Sequence, residues 1–98
     1  MYIGILRLEF GLHGNDSLKG KRRVAQSLKH KLRAKFNVAA SEVDAQDEHG
    51  RLILAAVTCG PDYRTIEGRL QKALNMVEAA TDEELTDSDI EIFDDEGR

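Results

Sequence analysis

Tyr2 to Phe10 alternates, with Leu6, Leu8 and Phe10 on one side and Arg7 and Glu9 on the other. A period of two predicts a strand with one buried face. Gly11 to Asp16 is rich in turn residues, and Ser17 is placed to cap a helix. The next stretch, about Leu18 to Lys35, changes period. At 100° per residue Val24, Ala25, Leu28, Leu32 and Phe36 fall on one side, with Leu18 at its edge. Asn37 to Asp44 reads as a second strand, Asp47 to Gly50 as the turn, and Leu52 to Cys59 as a third strand. Leu52 to Val57 is apolar on both faces, the mark of a strand near the centre of a sheet. Gly60, Pro61 and Asp62 break the chain and suit a helix start. Tyr63 to Ala80 then carries Ile66, Leu70, Ala73, Leu74 and Val77 at helical spacing. Thr81 to Glu84 leads to a last strand, Leu85 to Phe93, with Ile90 and Ile92 inward.

The order is βαββαβ. It predicts an α+β ferredoxin-like sandwich, an antiparallel four-stranded sheet with both helices on one face. Ninety-eight residues, 41% of them apolar, make one domain over residues 1–93 with a small core. Asp94 to Arg98 is expected to be an acidic, disordered tail. No apolar run reaches the roughly 20 residues needed to span a bilayer. Met1 to Phe10 lacks the basic and cleavage regions of a secretory signal, so the expected location is the cytoplasm. Cys59 has no partner for an internal disulfide and is expected to be a small core residue.

Charge changes the picture. The net charge is −4, yet between Ser17 and Ser41 there is no Asp or Glu. That stretch holds Lys19, Lys21, Arg22, Arg23, Lys29, Lys31, Arg33 and Lys35. On the helix, Arg22, Gln26, Lys29 and Arg33 form a stripe beside the apolar face, with Lys19, Arg23 and His30 just beyond. Lys21 points toward the apolar side, but in the first turn it is expected to reach water. Without interleaved acids no stabilising i, i+4 ion pair is available. A cationic face of this kind suits a polyanion. Lys19, Lys21, Arg22 and Arg23 are the expected phosphate clamp, aided by the free amides after Ser17 and by close approach at Gly20. Lys29 and Arg33 extend the track. A solvated helix face and an acidic protein partner are the competing readings.

Ser-Leu-Lys-Gly-Lys-Arg-Arg-Val at 17–24, Lys-Phe-Asn-Val at 35–38 and Ser-Glu-Val-Asp-Ala-Gln-Asp at 41–47 resemble the YlxP-like family of small bacterial proteins. The likeness extends over about Met1 to Phe93. It implies a ferredoxin-like fold and, from a gene neighbourhood of translation and ribosome-binding factors, a role near RNA or ribosomes. The chain departs from the family at Gly20, where Glu is usual and would complete a capping box with Ser17. Its hairpin, with Ala45 and Glu48-His49-Gly50, is also less bulky than the family's.

Other chemistry is poorly supported. Ile3, Ile5 and the outward residues of Leu52 to Val57 offer no aromatic ring, which argues against base stacking on the sheet. An apolar open face is better explained by burial against a second copy, hence an expected homodimer. Glu42, Asp44 and Asp47 share a hairpin, but nothing makes them converge on a metal or a substrate; Asp44 is expected to cap or to bridge to Arg51. His13, His30 and His49 have no ligand spacing. The glycines match no phosphate-loop or dinucleotide pattern. The sequence therefore reads as a non-enzymatic, cofactor-free protein that binds structured RNA or a ribosomal surface, with a homodimeric module for an acidic protein as the alternative.

Overall fold

A computed structural model describes residues 1–95. The elements run β1 (Tyr2–Gly11), α1 (Leu18–Lys35), β2 (Ala39–Asp44), β3 (Arg51–Gly60), α2 (Tyr63–Ala80) and β4 (Glu84–Asp94). The four strands form one antiparallel sheet in the order β2-β3-β1-β4, with β1 and β3 central. The ferredoxin-like α+β architecture expected from the periodicities is the observed one.

Both helices start where the sequence places them, and for the same reason. Ser17 Oγ accepts from Gly20 N at 3.0 Å, and Asp62 Oδ2 accepts from Thr65 N at 2.9 Å and from Thr65 Oγ1 at 2.6 Å. Each cap satisfies an amide that has no partner inside its helix. The bonds from Thr65 hold the Asp62 carboxyl below its usual value. Stability gained that way is present above the unfolded Asp pKa and is lost as pH falls through the depressed folded one.

The core lies between the helices and one face of the sheet. Leu6, Leu8 and Phe10 of β1 and Leu52, Leu54 and Ala56 of β3 meet Ala25, Leu28 and Leu32 of α1 and Ile66, Leu70, Ala73 and Val77 of α2. Every one of these is buried. Gly4 continues the inward row of β1, and there a side chain is excluded. An added Cβ would lie 2.6 Å from Ile66 Cγ2 and 2.7 Å from Leu70 Cδ1. Gly4 thus lets α2 close directly onto β1.

The differences from the sequence-based expectation lie at the ends of elements. β2 begins at Ala39 rather than Asn37, because Val38 N donates to Phe36 O and turns the chain first. Of the expected acidic tail, Asp94 closes β4 and Asp95 Oδ1 accepts from the amino group of Met1 at 2.9 Å. Residues 96–98 lie outside the described residues. Cys59 is not a core residue. It is exposed on the open face of the sheet, opposite Ile3 in the β1–β3 register. No described helix is long and apolar enough to cross a membrane.

Gly4→Ala should overpack the β1–α2 contact and lower unfolding free energy by about 1–3 kcal/mol. A lower urea midpoint with unchanged slope is the expected result.

Candidate nucleic-acid interface

Residues on α1 divide according to what the rest of the chain covers. The helix carries eight of the chain's 14 Lys and Arg and α2 carries three more, Arg64, Arg69 and Lys72. Of 18 Asp and Glu the two helices hold only Glu67 and Glu78. The helical layer is therefore strongly cationic, while the sheet, its loops and β4 carry the acids.

Lys21 is the exception on α1, and here the expected clamp is corrected. Its side chain does not reach water; the residue is 2% exposed. Nζ donates to Ala45 O and, at 2.8 Å, to Glu48 O, and sits 2.8 Å from Glu42 Oε2. The Glu42 contact is an ion pair without hydrogen-bond alignment, so the buried Oε2 has no aligned donor. Lys21 thus fastens the β2–β3 hairpin to the start of α1 and holds no phosphate. It also supports Ala45, whose φ of 57° is uncommon for a residue with a side chain.

Gly20 is likewise covered. Asn15 Nδ2 donates to Ser17 O and His49 O, which lays the Asn15 side chain over the helix start. A Cβ on Gly20 would stand 2.1 Å from Asn15 Oδ1. The glycine makes room for Asn15 and not for a phosphate. This corner also contains Asp16, Asp47 and Glu48, all exposed. Asp44 does not bridge to Arg51. It accepts from Ala45 N at 2.7 Å, while Arg51 pairs with Glu9 and Glu48. The doubled hydrogen bond from Arg51 draws the Glu9 carboxyl below its ordinary value and raises that of Arg51. Among the described residues no group of His, Cys, Asp and Glu converges as a metal site.

The other expected residues remain available. Lys19, Arg22, Arg23 and Arg33 are exposed and Lys29 is half-buried. None of the five forms an ion pair among the described residues. Arg33 uses one arm to donate to Ala40 O at 2.6 Å. That bond fixes the guanidinium beside edge strand β2 without neutralising it. On the helical wheel Arg22 and Lys29 stand within a narrow arc of Arg33, so the stripe follows the β2 flank of α1. Lys31 lies on the other flank, in a cleft that the outward-facing Arg23 also reaches, with Ala80, Thr81 and Glu83.

The open face of the sheet is divided lengthwise. At one end the register brings Cys59, Ile3 and Phe93 into a row, followed by Ala39, Val57, Ile5 and Glu91. Val57 is 41% and Phe93 44% exposed. At the other end Arg7, Glu9, Asp87 and Asp89 are polar neighbours. The central strands present no aromatic ring on this face, as expected, and Phe93 adds one from edge strand β4.

A family model for proteins of unknown function, DUF503, matches residues 3–90. The chain belongs to the DUF503 family. No curated relative matches the sequence. Among solved structures, a mutant of SnoaB, a cofactor-independent oxygenase from Streptomyces nogalater, is similar to this chain at a TM-score of 0.48 and 13% identity. The match covers 99% of this chain and 95% of that one.

Lys21→Met should leave the Glu42 carboxylate without its cation and two hairpin carbonyls without a donor. A loss of about 2–4 kcal/mol in unfolding free energy is expected, somewhat below the cost at a fully buried pair because Glu42 reaches solvent. Chemical denaturation measures it.

Proposed function

We propose that this DUF503 protein binds RNA, free or on a ribosomal surface, through the cationic face of α1, as its resemblance to the YlxP-like proteins also suggests. The carrying observation is the set of cations without an ion pair among the described residues, Lys19, Arg22, Arg23, Lys29 and Arg33, on a helix without one acid. Like charges at i, i+4 cost an isolated helix a few tenths of a kcal/mol per pair. Lys19 with Arg23, Lys29 with Arg33 and Lys31 with Lys35 all stand in that relation. A surface selected for stability alone would intersperse acids. Phosphates supply the missing anions from outside, and their release of counterions drives binding. Shape rather than base sequence would set selectivity, since no base-reading device lies along the stripe.

Replacing Arg22, Arg23 and Lys29 together with Gln should leave the fold intact, since among the described residues none of the three side chains makes a hydrogen bond or ion pair. RNA affinity should fall, and the slope of log K against log salt should flatten by about 0.7–0.9 for each phosphate that is no longer neutralised. An unchanged slope would overturn the assignment.

A second reading concerns the apolar end of the open sheet. Val57 and Phe93, with Ile3 between their strands, form a compact patch beside a shallow groove of about 530 Å³ lined by Met1, Ile3, Ala39, Val57 and Cys59. A second copy placed face to face would bury it, giving a homodimer with its two cationic layers outward. Light scattering should then give twice the 10.9 kDa chain mass. Val57→Glu should return it to a single chain.

A further inference from the structure

The acid-free stretch of the sequence draws attention to α1 alone, but α2 carries a separate group of cations. Arg64, Gly68 and Lys72 recur every four residues and so form one row along α2, flanked by Thr65 and Arg69. With Phe36, which closes α1, they line an open groove of about 480 Å³. None of the three cations is in an ion pair among the described residues. Arg69 is oriented by the sheet. Its Nη1 donates to Thr58 Oγ1 at 2.6 Å, and that hydroxyl donates to Asn37 O at 2.7 Å.

Gly68 is the informative residue. It lies in the middle of an 18-residue helix, where glycine costs about 1 kcal/mol relative to alanine. Gly4 and Gly20 are explained by neighbours that a Cβ would strike. At Gly68 an added Cβ would meet nothing within 4 Å, and the backbone does not take the positive φ that favours glycine. Neither packing nor conformation accounts for it. Its effect is to leave the helix backbone without a side chain in the row between Arg64 and Lys72, in a groove that Phe36 also lines. A bare backbone permits close approach by something from outside.

We propose that this groove takes one unpaired nucleotide of an RNA strand. Arg64 and Lys72 meet its flanking phosphates, the base lies against Phe36, and the sugar-phosphate passes over Gly68. Phe36 follows Lys35 directly and Arg33 by three residues at the end of α1, so the groove begins where the α1 cations end. Aromatic stacking beside a basic track is how single strands are held without base reading. The groove thus adds to the α1 stripe a preference for a strand with an unpaired base, and it rests on the RNA reading above.

The experiment compares wild type, Gly68→Ala, Phe36→Leu and the Arg22, Arg23, Lys29 triple Gln variant. Each is titrated by fluorescence anisotropy into a labelled single strand of about 10 nucleotides, within the site sizes of such platforms, and into a fully paired RNA duplex. Gly68→Ala should raise the thermal midpoint, as the added methyl favours the helix, yet weaken single-strand binding by about fivefold or more, the low end for one stacked base. Phe36→Leu should weaken the single strand similarly, and both variants should leave duplex binding unchanged. The triple variant should weaken both RNAs. A more stable Gly68→Ala with wild-type single-strand affinity overturns the groove, while loss of binding in the triple variant keeps the α1 assignment. Competition by oligo-glutamate of equal charge as effective as the RNA also overturns the groove. If wild type binds neither RNA at low salt, both readings fall.

Discussion

The Lys21 ammonium has three N–H donors and lies among three oxygens, those of Ala45, Glu48 and Glu42. A buried cation is tolerable only when paired and solvated by the protein in this way. The arrangement constrains more than the hairpin. Once Nζ is fixed under the β2–β3 turn, the rotation of α1 about its axis is fixed as well. Asn15 and Arg33 act on the same relation from the two ends of the helix, through His49 O and Ala40 O. The cations one step around the helix, Arg22, Lys29 and Arg33, then have to follow the β2 edge, and Lys19 and Arg23 have to face outward. Lys21 itself faces no phosphate, but it sets where the proposed cationic site lies.

The helix that results is poor on its own terms. It has like charges at helical spacing, and its first turn holds a glycine and no acid. Isolated helices of this length are marginal even with favourable sequences. Its stability comes from burying Ala25, Leu28 and Leu32 against the sheet and from its two anchored ends. That division of labour frees the outer surface from any structural duty. Edge strands gain from the arrangement too. Arg33 occupies a carbonyl of β2, and β4 carries Asp87, Asp89, Glu91 and Asp94, charges that discourage pairing with another chain.

Much of this was legible in the sequence where the controlling physics is local. Period 3.6 in Leu18 to Lys35 and in Tyr63 to Ala80, and caps at Ser17 and Asp62, place both helices to the residue. The double-sided apolar run from Leu52 identifies a central strand. The misplacements arise from contacts distant in sequence. The wheel put Lys21 on the apolar side, but only the hairpin 24 and 27 residues later closes the route to water. Gly20 looked like an opening because Asn15 reaches it through a loop. Cys59 depends on which face of the β3 register points to solvent, and the run before it is apolar on both faces. Gly68 gave no signal at all until the space around it was known.

The distribution of acids decides between the two faces of the sandwich. In this fold a sheet that binds RNA needs rings on its central strands and a potential that attracts phosphate. Here β1 and β3 present Ile3, Ile5, Ala55 and Val57 instead, and the exposed ring on that face, Phe93, stands beside Asp94 and two residues from Glu91. A phosphate approaching that face meets like charge within a Debye length of about 8 Å at physiological salt. Approaching the helical layer it meets ten Lys and Arg, the buried Lys21 set aside, against two acids. The same segregation that makes the sheet a poor nucleic-acid surface leaves it free to be covered by apolar contact, so that the two surfaces need not compete for one side of the molecule.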